Sequence, residues 1–417
     1  MLRHRFTIAV CLLWVGHALA AKPLTGYRRS VNVTEETRLD WIFPVANQSP
    51  ASPPNGWLDD YNSSEQSYEL FVPKNYDSKR SWPVVIFVSP SDKGNGYRFW
   101  RGLCQQEGII FAGPHGAGNN CPIRRRVRIV LDVLDEVRRT YNTDVDRTYI
   151  SGFSGGGRIA CAIGFSLTEH FGGVLPICAA ADLRQESWLR HRAIDRLSVA
   201  LVTGESDFNR GEVEMFRGPL LADVGVRTRV WVVPKMGHSI PNSKQLATVV
   251  RWLDEDADRR RDLAKQHAAY RIPGNEAPTR QQRARQLFAE ATARIGDPKT
   301  LYSGLMLAKG VLGRWPDLPE AAKAREILQK HDANPDAGWQ QEDIAEQRRF
   351  LVARARGLDA YASGPLPKAY AAQQANMTRA AINLWKQVIA DGQDKAAVEE
   401  AKKRLPALER ALDSTDN

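Results

Sequence analysis

The segment that most constrains the fold of this chain is residues 148–160, which read Thr-Tyr-Ile-Ser-Gly-Phe-Ser-Gly-Gly-Gly-Arg-Ile-Ala. A β-favouring run at 149–151 enters the glycine-rich turn, and a small-residue helical pattern leaves it near Gly157. This order predicts a strand, a sharp turn and a helix. Gly152 and Gly156 leave room for strand and helix to converge around a strained serine. Ser154 is therefore a candidate nucleophile, and the alternative is a tight turn with an idle hydroxyl.

The same turn predicts where a negatively charged oxygen would be stabilised. The backbone N–H of Gly155 follows Ser154 and begins a helix, whose N-terminus adds positive potential. A second N–H that stabilises this oxygen is expected from the loop after the apolar run at 83–89. That loop begins Pro90-Ser91-Asp92. Because Pro90 has no N–H, the predicted second donor is Ser91 or a near neighbour.

Strands and helices alternate through residues 67–256, which predicts an α/β fold. The expected architecture is a mostly parallel sheet with helices on both faces, preceded by an extended, loop-heavy segment at 22–66 with one candidate strand at 38–43. Predicted strands lie at 68–72, 83–89, 108–112, 149–151, 173–177, 198–203 and 228–233, and predicted helices at 126–141, 211–221 and 243–255.

Two polar residues follow predicted strands at the edge where functional groups of parallel sheets collect. Asp207 lies just after the run 199–203, and His238 just after 230–233. The order Ser154, Asp207, His238 is the chain order of a nucleophile–acid–base triad in an α/β hydrolase. In that assignment Ser154 attacks an acyl carbonyl, His238 moves the proton and Asp207 orients the imidazole.

Other residues compete for these roles. Glu205 and Asp182 are rival acids, since both also follow strands, and Asp207 could instead be an ordinary turn residue. His115 precedes the serine, which violates the chain order, so it is interpreted as a loop histidine bordering the cleft. Neither a metal nor a cofactor is assigned to these residues.

The ends of the chain differ from its middle. Residues 1–21 combine a basic start, an apolar run at 6–15 and small residues before Ala21, which predicts a signal peptide cleaved near Ala20/Ala21 and a secreted or periplasmic protein. No other run approaches the roughly 18 apolar residues of a membrane span.

Four cysteines remain after that cleavage, an even number in an oxidising compartment. Their order along the chain suggests that Cys104 pairs with Cys121 and Cys161 with Cys178. Free buried thiols are the open alternative.

After a charged and proline-containing linker at 257–280, strand-like runs disappear, and residues 281–417 predict a helical module. An offset of 77 residues aligns Leu307 with Leu384 and Val311 with Val388. This weak repeat favours tetratricopeptide-like helix hairpins, or alternatively a plain bundle. The module has no catalytic constellation, and a protein partner could bind to it.

The formal net charge of +10 does not by itself indicate a nucleic-acid partner. The basic residues are dispersed and lack interleaved aromatic residues. The two tight arginine clusters, at 124–126 with Arg128 and at 259–261, are interpreted as solvated helix faces.

Four segments together resemble the secreted α/β-hydrolase esterases related to polyhydroxybutyrate depolymerases and to feruloyl and acetylxylan esterases. They are residues 68–77, residues 82–88, the serine turn and residues 235–241, so the resemblance covers about 67–256. It implies a cofactor-free serine carboxylesterase with Ser154, Asp207 and His238 in the matching positions. The chain departs from the family at Ser89-Pro90, where the family usually has His-Gly.

Three functions therefore remain open from the sequence. The first is a secreted serine hydrolase that cleaves carboxylic esters through an acyl-enzyme. The second is an exported scaffold or binding protein, in which a weakly active hydrolase fold carries a helical interaction surface. The third is a serine peptidase of the prolyl-oligopeptidase type, because such enzymes share the order of the three residues.

Overall fold

The computed structural model describes residues 23–40, 60–183, 186–272, 275–334, 337–366 and 368–416. The predicted signal peptide at 1–21 lies outside the described residues. Among the helices of the described ranges, none is long and apolar enough to cross a membrane.

Eight strands form one sheet in the order β1-β2-β4-β3-β5-β6-β7-β8. All pairings from β4 to β8 are parallel, whereas β2 is antiparallel to both β1 and β4. This is the mostly parallel α/β sheet that the sequence predicts. The strands are β1 (Gly26–Asn32), β2 (Ser67–Val72), β3 (Trp82–Val88), β4 (Ile110–Pro114), β5 (Thr143–Phe153), β6 (Gly173–Ile177), β7 (Ser198–Gly204) and β8 (Arg227–Val233).

Helices cover both faces of the sheet. They are α1 (Tyr97–Glu107), α2 (Ile123–Thr140), α3 (Gly155–Ser166), α4 (Ser187–Arg196), α5 (Arg210–Arg217) and α6 (Ser243–Asp254). Because successive side chains of a strand point to opposite faces, β3 supplies Val84 and Ile86 to the core under α2 and α3. Its Val85 and Phe87 belong to the core under α1 and α6. The continuous apolar run of β3 thus reflects burial on both sides.

The N-terminal segment differs from its prediction. β1 is an edge strand that pairs with β2, although its central residues are arginine and serine and are largely exposed. A strand held by backbone pairing at a sheet edge needs no apolar pattern, so the sequence did not reveal it. The predicted strand at 38–43 is wrong for Arg38–Asp40, which lie outside any strand. Arg38 instead donates from its backbone and guanidinium to Asp135. Residues 41–43 lie outside the described residues.

The four described cysteines are free, so the suggested disulfides are wrong. The sheet separates the members of each pair. Cys104 and Cys178 belong to the core under α1 and α6. Cys161 belongs to the opposite core, and Cys121 packs against that same opposite core.

After α6, the described chain contains helices and no strand. The helices are α7 (Ala257–Gln266), α8 (Arg280–Ile295), α9 (Leu301–Arg314), α10 (Pro319–Asp332), α11 (Gly338–Ser363), α12 (Gln374–Asp391) and α13 (Lys395–Asp416). One apolar core joins α8, α9 and α10, and another joins α11, α12 and α13. The residues aligned by the 77-residue offset fall on α9 and α12. The likeness to tetratricopeptide repeats stays a prediction.

The segment predicted as a linker packs against the sheet. It contains α7, and Arg260 within it is fully buried. The Arg260 guanidinium donates to the backbone oxygens of Asp146, at 2.7 Å, and Leu253, at 3.1 Å. The interpretation of 259–261 as a solvated face is therefore wrong for Arg260. It is also wrong for Arg126 and Arg128 in the other cluster, since both are buried.

A buried carboxylate, Glu169, joins the sheet-containing part of the chain to the helices that follow it. It lies in a short turn after α3 and is 1% exposed. Arg314 of α9 donates to its Oε1 at 2.6 Å, and Arg283 of α8 lies 3.7 Å from the same oxygen. Arg192 of α4 lies 3.6 Å from Oε2. Burial favours the neutral acid, but these guanidinium groups hold the pKa of Glu169 well below its usual value.

We expect Glu169→Gln to lower the free energy of unfolding by about 3–5 kcal/mol at pH 7, because it leaves three buried arginines without their shared counter-charge. A carboxylate whose pKa is depressed by folding stabilises fully above its unfolded pKa, about 4.3 for glutamate. That contribution is lost as the pH falls through the lower folded value. We therefore expect urea unfolding of the wild-type protein and of Glu169→Gln to give free energies of unfolding that differ strongly at pH 7. This difference should shrink in acid.

Glu214→Gln is the matched control, since Glu214 is a partly exposed partner of Arg210 and Arg217. Its effect should stay within about 0.5 kcal/mol. A Glu169→Gln protein as stable as wild type at pH 7 would contradict the role given to this carboxylate.

Candidate active site

The serine turn has the strained geometry that its sequence predicts. β5 ends at Phe153, α3 begins at Gly155, and Ser154 between them has φ 54° and ψ −122°. A positive φ is costly for a residue with a side chain and persists where surrounding structure enforces it. The Ser154 N–H donates to the Ile177 oxygen of β6 at 2.9 Å. The turn thus holds the serine at the carboxyl end of a central strand.

The two flanking glycines are required by close backbone approach. A Cβ on Gly152 would overlap the backbone oxygen of Gly156 across the turn. A Cβ on Gly156 would overlap the backbone oxygen of Val88, at the end of β3. The turn can therefore close against β3 only where these side chains are absent.

We expect Gly156→Ala to destabilise the protein by about 1–3 kcal/mol, because its methyl group must displace the backbone at the end of β3. Gly211→Ala is the control, since a Cβ there would meet only Pro365 O at an ordinary 3.6 Å. Chemical unfolding followed by circular dichroism measures both changes. Equal stability of the two variants would contradict the steric argument.

The loops after β7 and β8 bring the other two predicted residues together. Gly204 and Val233, the last residues of these strands, are paired in register. Asp207 and His238 follow them by three and five positions, and His238 Nδ1 lies 2.8 Å from Asp207 Oδ1. Asp207 and His238, which are 31 residues apart in the chain and were predicted as a pair from two strand ends, are therefore in contact.

Neighbouring groups hold the Asp207 side chain, which is fully buried. The Thr203 hydroxyl donates to Oδ2 at 2.7 Å, and the Asn209 backbone N–H donates to Oδ1 at 3.0 Å. Burial alone would raise the pKa of Asp207, but the hydrogen bonds from His238, Asn209 and Thr203 hold it below its usual value. The carboxylate is thus ionised at neutral pH, and the proton of the shared hydrogen bond belongs to His238 Nδ1.

The imidazole of His238 contacts two aromatic rings. The Phe208 ring is stacked on it with centroids 4.0 Å apart, and the Phe153 ring is 4.8 Å away. Phe153 immediately precedes Ser154, so His238 and Ser154 lie near the same end of β5. No hydrogen bond joins Ser154 Oγ to His238 among the residues that the structure describes. Catalytic hydrogen bonds are often long without substrate and tighten when it binds.

The rival residues have other partners. The Glu205 carboxylate accepts the Lys235 backbone N–H at 2.9 Å and so braces the loop that carries His238. Asp182 is partly buried, which raises its pKa, and its nearby opposite charge is Arg354 of α11. His115 Nε2 lies 3.0 Å from the Arg29 oxygen of β1, at the far edge of the sheet. Asp207 is therefore the acid that meets His238.

The loop after β3 is fastened by its own polar groups. The Ser91 N–H, the predicted second donor to an oxyanion, donates instead to the Ser89 hydroxyl at 3.1 Å. The backbone oxygen of Ser89 accepts a hydrogen bond from the guanidinium of buried Arg126 at 3.1 Å. The backbone oxygen of Pro90 accepts one from the Asn119 N–H at 2.9 Å. In this arrangement the Ser91 amide is already engaged.

Cys178, Asp207 and His238 place three metal-ligating atoms within 4.8 Å of one another. Their present contacts suit a hydrogen-bond network better. The Cys178 thiol lies 3.3 Å from the Ser239 oxygen, and burial raises its pKa, so it keeps the proton that a metal would have to displace. His238 directs Nδ1 to Asp207.

Sequence reasoning missed the residues that support the three predicted ones. Asn209 follows Asp207 by two positions, a spacing typical of aspartate turns that could have indicated it. Its side chain also donates to the Cys178 oxygen at 2.9 Å, which ties the loops after β6 and β7 together. Phe208 carried no comparable signal, because an aromatic residue in a loop has many roles.

No protein family model and no curated protein matches the chain. Solved structures similar to it include a thermostable esterase, an S-formylglutathione hydrolase of Staphylococcus aureus and a ferulic acid esterase. Their sequence identities are 21%, 14% and 16%, and their TM-scores are 0.36, 0.36 and 0.39. The matches cover 46%, 45% and 46% of this chain and 58%, 92% and 92% of those chains. The chain thus spans 58% of the length of the thermostable esterase.

Proposed function

We propose that the protein is an exported serine hydrolase that cleaves carboxylic esters through an acyl-enzyme. The observation that carries the proposal is the 2.8 Å contact between His238 and a buried, ionised Asp207 at the sheet edge where Ser154 is held in a strained turn. A nucleophile, a base and an orienting acid in these positions suit acyl transfer. The sequence motif supports the proposal independently, because Gly-x-Ser-x-Gly between a strand and a helix is typical of a nucleophilic serine.

In the first half of the reaction, Ser154 Oγ adds to the ester carbonyl while His238 takes its proton. Asp207 occupies Nδ1, so Nε2 is the nitrogen available to the serine. The carbonyl electron pair moves onto oxygen, and the Gly155 N–H at the start of α3 stabilises that charge. When the carbonyl reforms, the alcohol leaves with the proton from His238 and the acyl group remains on Ser154.

In the second half, water replaces the alcohol. His238 removes a proton from water, the resulting oxygen adds to the acyl carbon, and the bond to Ser154 breaks. Ser154 recovers its proton from the imidazolium. Asp207 stabilises the imidazolium in both halves without becoming protonated, which accords with its depressed pKa.

We expect Ser154→Ala to abolish labelling by a fluorophosphonate probe and to lower kcat for p-nitrophenyl acyl esters by roughly 10⁶-fold. Asp207→Asn should lower kcat by about 10⁴-fold, because the amide favours the wrong imidazole tautomer. Steady-state kinetics and gel detection of the probe measure these losses.

Glu205→Gln is the matched acid control, since Glu205 follows the same strand and binds Lys235 rather than His238. Its activity should remain close to wild type, because glutamine keeps an oxygen that can accept the Lys235 N–H and so preserves the loop. Hydrolysis that survives Ser154→Ala would refute the mechanism.

The same assays separate the other two functions. Chromogenic peptides cleaved faster than acyl esters would indicate a peptidase. A folded wild-type protein that neither labels nor hydrolyses esters would favour the scaffold interpretation.

A further inference from the structure

The carboxamide of Asn119 lies directly against the residue that follows the serine. A Cβ built on Gly155 would overlap Asn119 Oδ1 and would lie 2.8 Å from Cγ and 3.0 Å from Nδ2. The carboxamide thus occupies the space that a side chain at position 155 would fill. Gly155 also carries the N–H assigned to the oxyanion, so the two polar groups border the same corner of the turn.

The loop that carries Asn119 is anchored to the loop where the second donor was expected. The Asn119 N–H donates to Pro90 O at 2.9 Å, and the Gly116 N–H donates to Asp92 O at 2.7 Å. A Cβ on Gly118 would lie 2.8 Å from the backbone nitrogen of Asp92, so the two loops are in close contact. The backbone of Asn119 is held while its side chain is exposed.

The Asn119 side chain has no hydrogen-bond partner within the described ranges. A carboxamide has two N–H donors, and rotation about its Cβ–Cγ bond exchanges Nδ2 with Oδ1 at little cost. By contrast, the Ser91 amide already donates to Ser89, and Pro90 has no N–H. Asn119 is therefore an unengaged donor beside Gly155, whose N–H is the first donor of the proposed mechanism.

We propose that Asn119 Nδ2 is the second oxyanion donor, acting with the Gly155 N–H. This inference rests on the proposed ester hydrolysis. As Ser154 Oγ bonds to the carbonyl carbon, the π electron pair moves to the carbonyl oxygen and the serine proton passes to His238. The Asn119 N–H then meets a full negative charge that the substrate carbonyl lacks, so its contribution is greatest in the transition state.

The test compares Asn119→Ala, Asn119→Asp and Asn119→Gln with wild type on a p-nitrophenyl ester. Loss of one oxyanion donor should lower kcat by about 10²–10³-fold for Asn119→Ala while KM changes little. Asn119→Asp should lose at least as much, because a carboxylate accepts hydrogen bonds and repels the oxyanion. Asn119→Gln, which keeps the donor on a longer side chain, should lose less.

A second readout excludes a merely structural role. A trifluoromethyl ketone forms a charged hemiketal with an active serine and so reports stabilisation of the oxyanion. Across the three variants, its inhibition constant should rise in proportion to the fall in kcat/KM. Asn120→Ala, at the neighbouring exposed position, is the control and should keep kcat within about threefold of wild type.

The competing donor is tested with Ser89→Ala, which releases the Ser91 N–H. Ser89→Ala should leave kcat nearly unchanged and should not rescue Asn119→Ala. Asn119→Ala with a wild-type kcat, or rescue by Ser89→Ala, would overturn the assignment of Asn119 while the esterase proposal stands. A wild-type protein without ester hydrolysis or probe labelling would refute the proposed function and this inference together.

Discussion

The parallel pairing of β5, β6, β7 and β8 is the constraint on which the candidate site depends. Residues at the carboxyl ends are paired in register, Phe153 with Ile177, Ile177 with Val202 and Gly204 with Val233. The loops that follow these four strands therefore all lie on the same side of the sheet, at the carboxyl ends of the strands. Groups that are far apart in the chain meet there because the backbone ladder, and not any local sequence, sets their separation.

The site also illustrates how strain and burial are balanced locally. Ser154 adopts a backbone conformation that costs free energy, and the close approach of β3 and α3 enforces it. Asp207 loses its hydration but gains three donors, so its charge is retained inside the protein. In the proposed mechanism, both devices preorganise groups before substrate arrives, which avoids reorganisation during reaction.

Much of this arrangement could be predicted from the sequence, and the failures have physical causes. The strand positions, the Ser154 turn and the pairing of Asp207 with His238 follow from β-branched runs, glycine placement and strand-end rules. β1 was missed because edge strands are held by backbone hydrogen bonds that leave no apolar pattern. The cysteine pairs failed because neighbours in sequence lie on opposite faces of the sheet. Asn119 was not identified, since it reaches the site only through contact between two loops.

The ion cluster at Glu169 has a consequence for how the chain can be divided. Two of its three arginine partners, Arg283 and Arg314, belong to helices that follow the sheet. A fragment ending before α8 would retain the carboxylate and Arg192 but would open this buried charge to water. Expressing the sheet-containing part alone would thus yield a weakened protein, and a protein that includes α8 and α9 is the proper starting material for biochemical work.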